Sequence, residues 1–292
     1  MSENSKDAPL DEHIWEIGKA QVIIRNGKVI SISEPLVLYC PIHEAWIGAK
    51  YHTVESIKKH TQWKIRDFGI CTKKRKLYAK IKGIGYGCSE SFMSAMQQKL
   101  VDAVVIACDG AGTVITDKPE VEQAIGGPMN ALIKTSPISE VIAKLREFGA
   151  IVIDPVSAKI DVLTGVTAAI KQGYRKIGTI VVGPEAAIIE ILRKLEAKES
   201  VQIIIFVVHT TGITQEDLKF IEQADMAHGC ASKLMRDYFD KRARKKFGTI
   251  IPAYALSEIG EKILNIREAE NLVNPPFIVV GDRKDRRAPD LL

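Results

Sequence analysis

Short apolar runs alternate with helical patterns along the chain from about residue 135 onward. The runs that predict strands cover residues 151–154, 177–182, 203–208, 224–227 and 249–253. The patterns that predict helices cover residues 161–172, 184–197, 214–223, 232–245 and 257–267. Strands and helices in alternation are typical of right-handed βαβ units. We therefore expect an α/β protein whose C-terminal part is a mainly parallel, Rossmann-like sheet with helices on both faces.

The first half of the chain has a less regular pattern, which predicts an α+β portion that begins with a β-hairpin. Residues 22–32 form two apolar runs joined at Asn26-Gly27, a dipeptide well suited to the positive φ angles of a two-residue hairpin turn. The other predicted elements are helices over residues 53–66, from Ser89, and from Ser136-Pro137 to residue 146, and strands over residues 77–81 and 101–108.

These patterns divide the chain into four predicted segments. They are a disordered start (1–12), an N-terminal α+β domain (13–134), a C-terminal α/β domain (135–270) and an irregular tail (271–292). Cys40, Cys71 and Cys108 fall in the N-terminal domain, whereas His209 and Cys230 fall in the C-terminal one. A site that uses both sets of residues would require the two domains to fold together.

Composition indicates the cellular compartment. The chain has 292 residues, of which 46% are hydrophobic, enough to bury a sizeable core. The longest purely aliphatic and aromatic run, residues 203–208, is far shorter than the ~20 residues that cross a bilayer. Five cysteines without a disulfide-framework spacing are typical of a reducing compartment. We therefore expect a cytoplasmic protein with free thiols and no membrane association.

The net charge of +5 changes this picture little. Basic residues cluster at residues 73–76, 242–246 and 283–287, but no aromatic residue lies inside these runs to stack on bases. Such runs are usually solvated faces, so nucleic acid is not an expected partner. A small anionic ligand or an acidic protein remains open as a partner.

The loop Cys108-Asp109-Gly-Ala-Gly-Thr113 is the strongest candidate for chemistry, because it follows an apolar strand directly. Cys108 could act as a nucleophile or metal ligand, and Asp109 could supply charge or act as a base. Gly110, Gly112 and Thr113 would let the backbone approach a ligand. The alternative is a tight turn in which Asp109 bonds its own backbone and Cys108 ends a buried strand.

A second candidate is a metal site at Cys40-Pro-Ile-His43, where a thiol and an imidazole three residues apart could reach one ion. Cys71 could add a third ligand. A closed structural zinc site would need a second such pair at short separation, and the chain has none. The alternative is a buried cysteine beside a hydrogen-bonded surface histidine.

A third candidate combines His209-Thr210-Thr211-Gly212 with Cys230-Ala-Ser232, which follow two consecutive predicted strands and could face one crevice. The two threonine hydroxyls and the helix start at Ser232 could hold an anion. Cys230, placed just before that helix, would have a lowered pKa and could act as a nucleophile or ligand. The alternative is that these residues serve only as helix caps and turns.

Several of these segments together resemble the methanogenesis marker protein 8 family over about residues 11–265. The segments that carry the resemblance, in chain order, are Cys40-Pro-Ile-His43, Asp67-Phe-Gly-Ile-Cys-Thr72, Gly85-Tyr-Gly-Cys-Ser-Glu90, Cys108-Asp-Gly-Ala-Gly-Thr113, Thr135-Ser-Pro137, His209-Thr-Thr-Gly212 and Cys230-Ala-Ser232. The resemblance implies a cytoplasmic protein of methane-producing archaea that accompanies the methanogenesis machinery. Cys88 stands where an apolar residue is expected in that family, so it is left out of the predicted site.

With this family context, the first functional hypothesis is a metal site. Its ligands would be Cys40, His43, Cys71, Cys108 and, if the domains meet, Cys230, and the group bound would be an iron–sulfur cluster or a single transition metal. The protein would then assist the maturation or activation of a methanogenesis enzyme such as methyl-coenzyme M reductase.

Two other classes of function stay open. In an enzyme acting on a small anionic substrate, Cys108 or Cys230 would act covalently with Asp109 or His209 as base. The hydroxyls of Thr210, Thr211 and Ser232 would then bind phosphate or carboxylate together with His209 and the Gly212 turn. A non-catalytic assembly partner would instead use the basic helix predicted over residues 232–245.

Overall fold

The computed structural model describes residues 11–276, which contain two β-sheets and helices packed against them. The strands are β1 (Glu12–Ile17), β2 (Ala20–Arg25), β3 (Lys28–Ile32), β4 (Ala103–Cys108), β5 (Gly112–Thr116), β6 (Ala131–Lys134), β7 (Ile151–Val152), β8 (Lys176–Val182), β9 (Gln202–Val208), β10 (Met226–His228), β11 (Lys245–Phe247) and β12 (Ala253–Ala255). The helices are α1 (Pro41–Ile47), α2 (Val54–Phe68), α3 (Cys88–Gln97), α4 (Pro119–Gly126), α5 (Ser139–Glu147), α6 (Val162–Lys171), α7 (Ile188–Glu199), α8 (Gln215–Ile221), α9 (Lys233–Phe239) and α10 (Glu258–Val273).

The smaller sheet is antiparallel and has the strand order β3-β2-β1-β6. The predicted hairpin is confirmed: Asn26 and Gly27 join β2 to β3 with φ angles of 50° and 68°. Along β1, side chains alternate between the buried core and the outer face, so that Trp15 and Ile17 are buried. Helix α2 covers this core through Ile57.

The larger sheet has the strand order β11-β12-β10-β9-β8-β4-β5-β7. Its centre, β10-β9-β8-β4, is parallel, and the pairs on either side of that centre are antiparallel. The prediction of a mainly parallel sheet is therefore wrong for the sheet as a whole, which is mixed. The βαβ units predicted from the C-terminal alternation are confirmed for β8-α7-β9-α8-β10.

Helices cover both faces of the larger sheet, as predicted. Along β9, Ile204 and Phe206 pack against one helical layer, while Ile203 and Ile205 pack against the other. The first layer consists of α3, α4, α5 and α10, and the second of α6, α7, α8 and α9. Strands buried on both faces explain why β8 and β9 are nearly continuous apolar runs in the sequence.

Several predicted elements differ from the structure. Residues 77–81 form no strand, because their backbone does not pair with a neighbouring strand. Ala79 N–H does donate a hydrogen bond to the Glu120 carbonyl. Helix α3 begins at Cys88 with Gly87 as its N-cap, so Ser89 is not the cap that the sequence predicted. The predicted helix over residues 232–245 ends at Phe239, and the chain then enters β11.

The larger sheet includes β4 and β5 from before residue 135 and β7 to β12 from after it, so it spans the predicted domain boundary. Strand β1 begins at Glu12, the last residue of the predicted disordered start, and α10 continues to Val273, inside the predicted tail. Residues 1–10 and 277–292 of those two predicted segments lie outside the described residues. No helix within the described chain is long and apolar enough to cross a membrane.

A glycine-rich loop, residues 83–87, precedes α3 and folds around a carboxylate of the protein itself. The carboxylate of Glu90 accepts hydrogen bonds from the N–H groups of Gly83 and Ile84, each at 3.1 Å. Close by, Glu122 of α4 is completely buried, and its two carboxyl oxygens have no hydrogen-bond donor among the described residues. Burial and the charge of Glu90 raise the pKa of Glu122 well above its ordinary value.

The substitution Glu122→Gln is expected to stabilise the protein, and increasingly so at higher pH. The folded protein keeps the Glu122 carboxyl protonated, whereas the unfolded chain releases this proton above the ordinary pKa of 4.5. This group therefore reduces stability as pH rises from that value, and an amide does not ionise. We expect a gain that grows above pH 4.5 by at most about 1.4 kcal/mol per pH unit, because the wild-type fold must keep a proton that the unfolded chain releases.

Urea denaturation at pH 5 and pH 8 measures this gain. Glu120→Gln, at a partly exposed position of the same helix, is the matched control and should change stability little at either pH. If Glu122→Gln raises the free energy of unfolding equally at both pH values, the conclusion that the Glu122 carboxyl is buried and protonated is wrong.

Candidate functional site

The loops that follow β9 and β10 meet at one edge of the larger sheet, as the sequence predicted. The Thr211 hydroxyl accepts a hydrogen bond from Ala231 N–H at 3.1 Å, and so joins the two loops directly. Val37, from the segment between the two sheets, packs on Ala231. The carboxyl edge of the parallel strands therefore faces the N-terminal part of the chain.

Two residues of these loops, His209 and Cys230, adopt left-handed backbone conformations with φ angles of 52° and 38°. For residues other than glycine such a conformation costs about 1–3 kcal/mol. Surrounding hydrogen bonds hold it: Arg236 donates to the Cys230 carbonyl at 2.6 Å, and Thr210 donates to the His228 carbonyl at 2.7 Å. The side chains of His209 and Cys230 are partly exposed.

The predicted ligand-binding hydroxyls of these loops all bond to the protein's own backbone. Besides the bonds of Thr210 and Thr211 given above, the Ser232 hydroxyl caps α9 by accepting from Met235 N–H at 3.3 Å. Gly212 has a φ of 83°, which favours glycine, and lies close to the Lys19 side chain. The geometry thus agrees with the capping and turn interpretation for these hydroxyls.

A lysine that the sequence analysis did not single out lies behind these loops. Lys64 of α2 is only 1% exposed, and its ammonium lies 4.8 Å from the centre of the Trp46 ring and 5.9 Å from that of Trp15. Its Nζ donates to Asn130 Oδ1. No carboxylate forms an ion pair with Lys64 in the part of the chain that the structure describes, which is rare for a buried ammonium.

Burial lowers the pKa of Lys64 to about 7, and the charge of Arg75 lowers it further, while Cys40 acts in the opposite direction. Near neutral pH this amine is therefore present in both protonation states. Its place on the helix could have been found from the sequence. Ile57, Thr61 and Lys64 follow one another at intervals of four and three residues, the spacing of a single helix face, and all three are buried.

Cys40 and His209 lie close enough to Lys64 for their charges to interact, and Cys230 lies similarly close to Cys40. We call these four residues the Lys64 cluster. Burial is the main cause that raises the pKa of the Cys40 thiol, the charge of Cys230 adds to it, and Lys64 opposes it. Burial also lowers the pKa of His209 to about 4, with further contributions from His228, Lys19 and Lys64. His209 is therefore neutral at pH 7, in a field set by cations.

His43 and His60 form a buried hydrogen-bonded pair one helical turn from Lys64. His43 Nδ1 lies 2.9 Å from His60 Nδ1, and His43 Nε2 lies 3.1 Å from Ser56 Oγ. The Ser56 hydroxyl donates its single proton to the Tyr51 carbonyl at 3.0 Å, so His43 Nε2 is the donor to Ser56. His43 Nδ1 then accepts from His60 Nδ1–H, which leaves a lone pair on His60 Nε2.

Both histidines of this pair are neutral. Burial, with the charges of His52 and Lys64, lowers the pKa of His43 to about 3, and burial likewise lowers the pKa of His60. His60 Nε2 is buried and has no hydrogen-bond partner within residues 11–276. His43, the predicted metal ligand, uses both ring nitrogens for protein hydrogen bonds.

Cys71, Cys108 and Asp109 form a second cluster, which is fully buried. Asp109 accepts from Arg75 Nε at 2.8 Å with one oxygen and from Cys71 N–H at 2.6 Å with the other. Burial and the charge of Asp109 raise the pKa of both thiols, so they are protonated at neutral pH. With both oxygens of Asp109 engaged, the geometry agrees with a structural role for this cluster.

The glycines after Cys108 approach protein atoms instead of open space. A methyl group at Gly110 would lie 3.0 Å from the Ile138 side chain, and one at Gly112 would lie 2.3 Å from the Ala158 backbone. The Thr113 hydroxyl donates to the Lys159 carbonyl at 3.2 Å. This turn is therefore packed against the chain itself. Cys108 ends a buried strand, as in the alternative interpretation, but Asp109 accepts from Arg75 and Cys71 and not from its own backbone.

Residues 13–269 match the family DUF2099, described as an uncharacterized protein conserved in archaea. The chain belongs to this archaeal family. A relative from Methanocaldococcus jannaschii, named uncharacterized protein MJ0054, is 38% identical over 258 residues, which cover 87% of this chain and 90% of the relative. The family match includes all four residues of the Lys64 cluster.

In this DUF2099 protein the five predicted metal ligands do not form one group. Cys40 and Cys230 belong to the Lys64 cluster, Cys71 and Cys108 to the buried Asp109 cluster, and His43 is bonded to His60. No three His, Cys, Asp or Glu side chains in the described part of the chain are arranged to hold a metal ion. The residues do not fit the predicted four-thiolate centre in this arrangement.

The substitution Asp109→Asn is expected to destabilise this DUF2099 protein by about 3–5 kcal/mol, because it leaves the Arg75 charge buried without its counter-ion. Urea denaturation at pH 7 measures the loss. The control is Asp67→Asn, which removes an exposed ion pair with Arg66 and should change stability little. If Asp109→Asn costs no more than this control, the ion pair does not have the structural role described here.

Proposed function

We propose that the protein is a thiol-dependent enzyme that acts on a small anionic substrate at the Lys64 cluster. One observation carries this proposal: Lys64 is a buried ammonium without a carboxylate partner among the described residues, and it lies near the partly exposed thiol of Cys40, which in turn lies near that of Cys230. A buried charge is normally paired, so an incoming anion would gain more at this position than at an exposed lysine.

The electrostatics around His209 support an anionic substrate. Burial is the main cause that lowers the pKa of His209, and the charges of His228, Lys19 and Lys64 add to it, so the imidazole lies in a field of positive charge. An anion bound between them would offset these charges and move the pKa of His209 back toward its ordinary value. Binding of substrate would thus strengthen His209 as a base.

Within this proposal Cys230 is the nucleophile and His209 its base. The Cys230 sulfur would form a bond to the electrophilic carbon of the substrate as a carbonyl π bond, or the bond to a leaving group, breaks. His209 would take the thiol proton and pass it to the carbonyl oxygen or to the leaving group. Cys230 is favoured over Cys108 as nucleophile because it is partly exposed, whereas Cys108 is fully buried beside Asp109.

The resemblance to methanogenesis marker protein 8 leads us to propose that this activity serves methanogenesis in the cytoplasm of an archaeon. Membership of an archaeal family and the Methanocaldococcus jannaschii relative support the archaeal part of this proposal. Co-purification from a methanogen tests whether the protein assists a methanogenesis enzyme, either as a catalyst or as an assembly partner.

A second candidate function is metal binding, and the proximity of Cys40 and Cys230 favours it. Two thiolates from distant parts of the chain could hold a soft transition metal, and an iron–sulfur cluster would need further ligands to move toward them. Metal and acid-labile sulfide analysis of protein purified without oxygen tests this candidate. Retention of all bound metal in a Cys40→Ser, Cys230→Ser double variant would rule it out.

Alkylation of the folded protein is expected to be selective. N-Ethylmaleimide should modify Cys40, Cys88 and Cys230, which are partly exposed, and spare Cys71 and Cys108 until the protein unfolds. A small anion at ten times its Kd should slow modification of Cys230 about tenfold. Peptide mass spectrometry with sulfate, phosphate, acetate and pyruvate as probes measures both effects.

Two matched variants test whether this protection depends on Lys64. They are Lys64→Gln, at a buried position of α2, and Lys59→Gln, at an exposed position of the same helix. Protection should disappear in the first and persist in the second. Equal protection in both variants, or none in the wild-type protein, would count against the anion site.

The affinity for a non-titrating anion such as sulfate is expected to fall as pH rises through about 7, the pKa to which burial lowers Lys64. Below this pH the ammonium attracts the anion, and above it the neutral amine does not; the limiting decrease is about tenfold per pH unit. Isothermal titration calorimetry between pH 6 and pH 9 measures it. Lys64→Arg keeps its charge and should flatten the profile, whereas an identical slope in this variant would exclude Lys64 as the anion-binding group.

A further inference from the structure

We infer that Lys64 forms an imine with a small 2-oxo acid. This inference rests on the proposed function, because it names the substrate class of the same cluster. A carbonyl carbon would react with the amine, and the adjoining carboxylate would supply the negative charge that the cations around His209 favour.

The surroundings of the Lys64 amine suit a covalent role. Its Nζ lies between the rings of Trp15 and Trp46 and is held by Asn130 Oδ1, so its position is fixed. Trp46 and Asn130, which contact the amine, are themselves partly exposed. A small molecule that displaces these two side chains would approach Nζ from solvent.

Charge state supports the same role. An amine attacks a carbonyl only as the neutral base, and exposed lysines are almost entirely protonated at pH 7. Burial lowers the pKa of Lys64 to about 7, which gives a large neutral fraction there. The protonated fraction attracts the carboxylate, and the neutral fraction attacks the carbonyl carbon.

Two unpartnered polar atoms lie in the shell around Lys64. Trp15 Nε1 is a buried donor and His60 Nε2 a buried acceptor, and neither has a hydrogen-bond partner in the described chain. Trp46 contacts both the Lys64 ammonium, at 4.8 Å, and the His60 ring, at 5.8 Å between centres. The Trp15 N–H can donate to the carboxylate of a 2-oxo acid, and His60 Nε2 can accept from the hydroxyl of the intermediate.

The chemical step requires no reagent beyond the two partners. The nitrogen lone pair of Lys64 forms a bond to the carbonyl carbon and gives a carbinolamine. The C–O bond of this intermediate then breaks, and the oxygen leaves as water with the two protons that the neutral amine carried. A C=N bond remains, and hydrolysis by one water molecule reverses the step.

Reductive trapping of the full-length wild-type protein tests the inference. The protein is incubated at pH 7 with glyoxylate or pyruvate and sodium cyanoborohydride, and each lysine is then mapped by peptide mass spectrometry. We expect the reduced adduct at Lys64, formed about tenfold or more faster than at Lys58 and Lys59, which are exposed on the same helix. Lys64→Arg should remove the rapid phase, and His60→Gln should slow it.

The outcomes separate this inference from the proposed function. Labelling of exposed lysines with none at Lys64 would overturn the imine, and protection of Cys230 by anions in the same preparation would leave the anion site intact. Rapid trapping at Lys64 that acetaldehyde produces as readily as glyoxylate would overturn the 2-oxo acid as the substrate class. Absence of anion protection together with selective glyoxylate trapping would overturn the thiol proposal alone.

Discussion

The buried ion pair between Arg75 and Asp109 fixes how the two sheets meet. Asp109 stands at the end of β4 in the larger sheet, and Arg75 lies on the segment that follows α2. Arg75 also donates to the Ile125 carbonyl of α4 at 3.0 Å, and Asp109 holds Cys71 N–H. Because both charges are removed from water, neither can move away without a large loss of stability. The position of α2, and hence of Lys64, depends on this contact.

The order of the parallel strands explains which parts of the chain must cooperate. The chain passes through β4, β8, β9 and β10 in one direction across the sheet, and the four helices α6 to α9 pack on a single face. The other face is covered by α3, α4 and α5 from the middle of the chain and by α10. Residues on both sides of position 135 thus build one core, which local sequence patterns do not reveal.

Much of the fold was predictable where local chemistry dominates. The Asn26-Gly27 turn, the apolar runs of β8 and β9 and the helix near residues 53–66 depend on nearby residues alone. Apolar and polar side chains alternate along residues 77–81 as in a strand, but these residues pair with no other strand, since strand pairing depends on distant segments. Lys64 was missed for a related reason: a lysine on a polar helix is usually solvated, and its burial depends on Trp15 of β1 and Trp46 of α1, although its spacing from Ile57 and Thr61 places it on the buried face of α2.

The contrast between the two clusters is the strongest argument about where function lies. Around Asp109 every charge is paired, and the thiols are buried and protonated, as expected for a structural core. Around Lys64 a buried ammonium lacks a counter-ion among the described residues, two nearby polar atoms lack partners, and the thiols of Cys40 and Cys230 are partly exposed. Unpartnered buried groups reduce stability, as they also do at Glu122. At the Lys64 cluster this loss coincides with partly exposed reactive groups, and such losses concentrate where a protein binds or transforms a ligand.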